Sequence, residues 1–187
     1  MSRDLHNFGR VDLLDAEAIG QPGQRRFRLI ARGGGETASL WLERQQLEQL
    51  SLALDQLLAQ IAGGDLLRPE AMAERPATPG APADFPEHPD LDFQVGQLTL
   101  GYDEAADHIV LLAARLELME RAGEVTAREN VDPEFAGHMS RDQATRLSTH
   151  IAGVLAAGRP RCPFCGQPMD DQHVCVKQNG HRPMEIN

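Results

Sequence analysis

A chain of 187 residues with 41% apolar content can bury one core of ordinary domain size, and its formal charge of −10, from 28 acidic against 18 basic residues, disfavours nucleic acid and anionic membranes as partners. Aromatic residues make up 4%, which leaves few platforms for stacking bases or sugars. No apolar run approaches the roughly 20 residues that span a bilayer, and the opening Met1-Ser2-Arg3-Asp4-Leu5-His6 lacks the apolar stretch of a signal peptide, so a soluble cytoplasmic protein is expected.

Along the chain, Val11 to Ile19 is read as a possible edge strand. From Arg25 to Leu42, Phe27, Leu29 and Ala31 alternate with Arg26, Arg28, Ile30 and Arg32; Gly33-Gly34-Gly35 then turns the chain into Thr37 to Leu42, which predicts a β-hairpin. From Glu43 the period becomes three and four. Leu47, Leu50, Leu54, Leu57, Leu58 and Ile61 draw one helical stripe that stops at Gly63-Gly64. Residues 66 to 90 carry Pro69, Pro76, Pro79, Pro82, Pro86 and Pro89 and are expected to form an extended, partly mobile connection. Phe93 to Leu100, interrupted at Gly96, and His108 to Leu116 predict a second hairpin turning at Asp103 to Asp107, while residues 117 to 139 receive no assignment. Ser140-Arg141-Asp142-Gln143 has the pattern of a capping box, and Ala144, Leu147, Ile151, Val154 and Leu155 continue as a second amphipathic helix to Gly158.

The two helices align with each other. Arg44-x-Gln46, Leu50-Ser51, Leu54, Leu57 and Leu58 fall at the offsets of Arg141-x-Gln143, Leu147-Ser148, Ile151, Val154 and Leu155, as a duplicated β-β-α unit would place them. The expected fold class is therefore α+β: an antiparallel sheet with both helices on one face in residues 1–158, followed by a separate tail in residues 159–187.

That tail holds all three cysteines, an odd and clustered set that fits a metal site in a reducing compartment better than a disulfide framework. In Cys162-Pro163-Phe164-Cys165-Gly166 the two-residue gap lets both thiolates face one metal, and glycine permits the turn that aims backbone amides at sulfur. Seven residues later, His173-Val174-Cys175 offers an imidazole and a thiolate on alternate positions of an extended segment. Three thiolates and one imidazole are a tetrahedral zinc set with no open position, so the metal is expected to be structural. His181 is the alternative fourth ligand, and a redox Cys-x-x-Cys pair is the alternative to a metal, although it leaves His173 and Cys175 without a role.

Other candidates are weaker. Gln21-Pro22-Gly23-Gln24-Arg25 offers amides, two carboxamides and a guanidinium to an anion, with Gln21, Gln24 and Arg25 as binding residues, or is simply a Pro-Gly turn entering a strand. His6, His88, His108, His138 and His150 lack metal-ligand spacing and read as surface or capping residues; the acidic run from Glu117 to Glu134 reads as a solvated face. No catalytic residue is assigned, because neither a nucleophile elbow nor a phosphate-cradling glycine loop occurs.

Through Gly20-Gln21-Pro22-Gly23-Gln24-Arg25-x-Phe27 and Ala157-Gly158-Arg159-Pro160-x-Cys162-Pro163-x-Cys165-Gly166, with His173-x-Cys175 and Asn179-Gly180, the chain resembles an uncharacterised bacterial family catalogued as domain of unknown function 3090. The resemblance implies a protein with a terminal zinc motif, often encoded beside kinase-like and histidine-phosphatase-like proteins, which hints at a protein partner. It carries no activity.

Three functions compete on this reading. The leading one is a non-catalytic interaction or ligand-binding module with structural zinc. The second is an enzyme acting on a phosphorylated small molecule at the Gln21–Arg25 loop, where Arg26 and Arg28 would converge on one strand face. The third is nucleic-acid binding by Arg159, Arg161, Lys177 and Arg182, which Asp170, Asp171 and Glu185 nearly cancel.

Overall fold

The computed structural model describes residues 4–20, 24–63, 82, 84–121, 124–129, 132–157 and 164. Chain order is β1 (His6–Ile19), β2 (Arg26–Gly33), β3 (Glu36–Leu42), α1 (Arg44–Ile61), β4 (Leu91–Asp103), β5 (His108–Arg121), β6 (Glu124–Glu129), β7 (Phe135–Met139) and α2 (Arg141–Ala156). The expected α+β class holds, and both hairpins and both helices lie where the pattern puts them.

The sheet is mixed rather than antiparallel. β1 pairs antiparallel with β2 and β2 with β3, after which β3 pairs parallel with β4. The same sequence then recurs: β4 with β5 and β5 with β7 antiparallel, and β7 parallel with β1. Six strands thus close into a ring, with β6 added alongside the far end of β5. The periodicity of a single strand carries no sign of its neighbour's direction, which is why the parallel pairs escape a sequence reading. From Val11 to Ile19 β1 has only β2 beside it among the described strands and is an edge as expected, while His6 to Arg10 extends it into a stretch paired with β7; β7 and β6 occupy the stretch left unassigned. Each half contributes three ring strands and a helix, so the recurring unit is one strand longer than the expected β-β-α.

β1 and β4 each change partners midway. β1 lies beside β7 at His6 to Arg10 and beside β2 from Val11 onward; β4 lies beside β3 at Leu91 to Gln94 and beside β5 from Val95 onward. Irregular register marks both handovers, between Val11 and Leu13 and between Val95 and Gln97. At Gly96 the neighbouring strand comes so close that an added Cβ would stand 3.1 Å from Leu116 Cα.

A glutamine holds each handover. Gln143 Oε1 accepts from Ser140 N (2.9 Å) while its Nε2 donates to Val11 O (2.8 Å), and Gln143 N donates to Ser140 Oγ (3.2 Å), completing the capping box. Gln46 Oε1 accepts from Glu43 N (2.9 Å), and its Nε2 donates to Val95 O and Gly96 O (3.2 and 3.3 Å). Each side chain therefore starts its own helix and clasps the irregular strand of the opposite half.

One core fills the fold. The stripes Leu47, Leu50, Leu54 and Leu58 of α1 and Ala144, Leu147, Ile151 and Val154 of α2 meet the alternate residues Phe27, Leu29 and Ala31 of β2 and Ile109, Leu111 and Ala113 of β5. Where the helices cross, Ser148 Oγ donates to Asp55 Oδ1 (2.6 Å) and Ser51 Oγ lies 3.0 Å from Ser148 Oγ, so the two small hydroxyls satisfy each other inside the seam. At the β2–β3 turn, Gly34 and Gly35 have φ of +62° and +85°, the left-handed pair that a two-residue hairpin needs.

Replacing Gln143 by Ala removes a cap and a half-buried strand contact together and is expected to cost about 1–3 kcal/mol in urea unfolding. Gln143→Glu keeps the capping acceptor but cannot donate to Val11 O, so it should not restore stability.

Candidate functional site

Two places bring together the residues of interest: the end of the β1–β2 hairpin where it meets α2, and the outer face of β1, β2 and β3. The hairpin end belongs to Gly20, whose φ of +105° swings the chain out of β1, and to Arg25, which leads into β2. The last carbonyls of a helix lack partners and carry partial negative charge, and the last turn of α2 has no basic residue of its own. Other parts of the chain supply that charge. Arg25 NH1 donates to Ala157 O at 2.7 Å, and Arg44 donates to Leu155 O at 3.3 and 3.4 Å. Arg25 Nε is buried and has no hydrogen-bond partner among the described residues, and Gln24 is exposed beside it. Gln21, Pro22 and Gly23 lie outside the described residues.

On the outer face, opposite the core, Arg26, Arg28 and Arg32 share one side of β2, as period-two alternation requires. Arg28 is held by the buried Glu17 carboxylate directly across the strand pair and by Ser39 Oγ at 3.1 Å. Ser39 and Ile30 are 0% and 1% exposed although they face away from the core cluster. The Arg26 and Arg28 guanidinium carbons stand 4.1 and 5.4 Å from the Trp41 ring centroid, and the indole N–H donates to Asp92 Oδ1 at 2.7 Å. The expected convergence of Arg26 and Arg28 is therefore realised, on Trp41.

The end of the proline-rich connection crosses this face. Arg32 pairs with Asp84 (2.8 Å), the Phe85 ring lies 5.7 Å from the Arg28 guanidinium, and Asp90 Oδ2 accepts from Thr37 N and Oγ1 (2.8 and 2.9 Å). Hydrogen bonding to Arg32 holds the Asp84 carboxyl below the usual carboxylate range, and the Thr37 amide does the same for Asp90.

His150 is not a surface histidine. Its side chain is 12% exposed and its Nδ1 contacts Asp15 Oδ1, tying α2 to β1; Nε2 is buried without a hydrogen-bond partner among the described residues. The bond to Asp15 raises the imidazole pKa against the opposing effect of burial. Glu134 likewise departs from the expected solvated face: it is 4% exposed and accepts from Arg115 Nε at 3.1 Å. Asp15 and His150 are 135 positions apart, so no local pattern announces them. Glu17 opposite Arg28 follows from folding a hairpin about Pro22-Gly23, a signal present in the sequence.

Cys162, Cys165, His173 and Cys175, and the alternative ligand His181, lie outside the described residues. Among the described residues, no group of three or more histidine, cysteine, aspartate or glutamate side chains is placed to hold a metal ion, and no helix is long and apolar enough to cross a membrane. The family model described as Protein of unknown function (DUF3090) matches residues 6–175. The chain belongs to that family. Comparison of this DUF3090 chain with curated proteins and with solved structures gives no match.

Because the folded pKa of His150 is raised, the stabilisation from its charged form is fully present below the unfolded value near 6.5 and is lost as pH rises through the folded value. The gap in urea midpoint between the native chain and Asp15→Asn should accordingly be widest near pH 6 and narrow toward pH 9. A gap independent of pH would show that the contact is not charge-assisted.

Proposed function

We propose that this DUF3090 protein is a non-catalytic interaction module, in which residues 1–158 form the domain and residues 159–187 a tail organised by structural zinc. The observation that supports the reading is the hydrogen bond from Arg25 to Ala157 O, which joins the start of β2 to the end of α2, the last described residue before the tail sequence. A protein partner that engages Arg25 then also meets the end of α2.

The donor chemistry supports zinc: three thiolates and an imidazole are borderline-soft ligands that complete a tetrahedron. The family match also supports His173 over His181 as fourth ligand, because it takes in Cys162, Cys165, His173 and Cys175 and ends before position 181. Clustered reduced cysteines fit a cytoplasmic setting.

A second reading, an enzyme acting on a phosphorylated small molecule at the same loop, has one observation in its favour. Arg25 Nε is a buried donor that a phosphate oxygen would satisfy. Inorganic phosphate should then raise Tm in the native chain and not in Arg25→Ala; equal shifts would remove this reading.

Metal analysis tests the zinc. Purified protein should hold about one equivalent. Cys162→Ser, Cys165→Ser and Cys175→Ser should release it, His173→Ala should weaken its retention, and His181→Ala should leave it nearly intact. Under chelation the far-UV signal of the two helices should persist, since their apolar stripes pack within residues 1–158. Zinc-free native protein would defeat the proposal.

A further inference from the structure

The outer face of β2 and β3 carries a second surface, distinct from the loop and tail. Its three arginines lie along one side of a strand, Arg26 about 7 Å from Arg28 and Arg28 about 13 Å from Arg32 at the usual rise per residue. The chain's own residues 84–90 show what this strip accepts: a carboxylate at Arg32 and an aromatic ring against the Arg28 guanidinium. We propose that the strip is a docking surface for an extended acidic segment of a partner protein that bears an aromatic side chain, and that residues 84–90 occupy part of it in the isolated chain. This rests on the interaction-module reading above and adds the chemistry of the partner.

Residues 84–90 fill only part of the strip, for a geometric reason. After Phe85 the chain must return to Thr37, where Asp90 is bound, because Leu91 enters β4 opposite Ala38. It therefore leaves the strip before reaching Arg26. That guanidinium rests on Trp41 and has neither a hydrogen bond nor an ion pair among the described residues, while Asp92 fixes the indole beneath it. A separate segment is free of that return and can run the full length, setting one carboxylate at Arg32, a ring at Arg28 and a second carboxylate at Arg26. The resident contact is easily displaced: the Arg32 and Asp84 side chains are 37% and 68% exposed, and exposed ion pairs contribute little. Once Asp84 leaves, Arg32 and Arg26 have no ion-pair partner among the described residues, so the strip offers two guanidinium groups to a partner's carboxylates while Glu17, Asp90 and Asp92 keep their own contacts around it.

The test uses the full chain with Asp84→Ala and Phe85→Ala together, and a fluorescein-labelled peptide Asp-Phe-Pro-Glu-Glu followed by anisotropy. Removing a tethered competitor should tighten peptide binding at least about tenfold relative to the native chain. Adding Arg26→Ala, an exposed change, should reverse most of that gain, and raising salt should weaken binding. A folded double variant that binds no tighter than the native chain overturns the proposal, as does binding indifferent to Arg26→Ala. Trp41 is the single tryptophan, so its indole N–H resonance gives a second readout on the native chain: it should move as excess peptide is added, and a static resonance counts against the strip. Peptide-insensitive protein that instead dimerises with concentration would assign the strip to a second copy of this chain, and would likewise overturn the proposal. Zinc content and peptide binding share no residue, so failure of the zinc reading and failure of the strip appear in separate measurements.

Discussion

Closing six strands into a ring obliges β1 and β4 to exchange one neighbour for another halfway along. At each exchange the register breaks and backbone carbonyls fall out of the ladder. Gln143 and Gln46 recover them, each from the first turn of a helix in the opposite half. The helix start, the strand irregularity and the contact between halves are thus one interaction seen from three sides. Everything inward of it, the two leucine-rich stripes and the paired serines at the helix crossing, depends on the helices being set at that height over the sheet.

The same exchange creates the candidate sites. Beyond Arg10, β1 has a strand neighbour only on its β2 side, and α2 lies along the other flank. Asp15 and His150 join that flank in its middle, and Arg25 joins it at the end of α2. The charges are matched to the helix: a guanidinium reaches the carbonyl end, where a positive group is favoured, and an aspartate orients an imidazole that is otherwise enclosed. The two faces of the β1–β2 hairpin consequently differ. One carries Phe27 and Leu29 into the core, while the other displays Arg26 and Arg28 around Trp41.

On the proposed reading as an interaction module, the domain would act by holding surfaces in fixed relation. The loop at Gly20 to Arg25 and the strip along β2 are continuous in sequence, so a displacement of the hairpin moves both. The bridge at His150 is the part of that mechanical link whose strength depends on pH near neutrality.

The sequence by itself determined the local elements. Period-two alternation from Phe27 to Leu42, the leucines spaced three and four from Leu47, and the Ser140–Gln143 box each report an environment that a residue shares with its near neighbours, and the structure reproduces all three. It also determined membership of the DUF3090 family, over a span that includes Cys162, Cys165 and Cys175. The tertiary structure decided what depends on distant pairing. Strand direction leaves no trace in alternation, so the parallel β3–β4 and β7–β1 contacts were not legible. β7 escaped because Gly137 and His138 interrupt its apolar pattern, although Phe135 and Met139 are both fully buried. Glu134 and His150 look solvated in sequence because both are polar, and only the approach of Arg115 and Asp15 from other strands makes their burial tolerable.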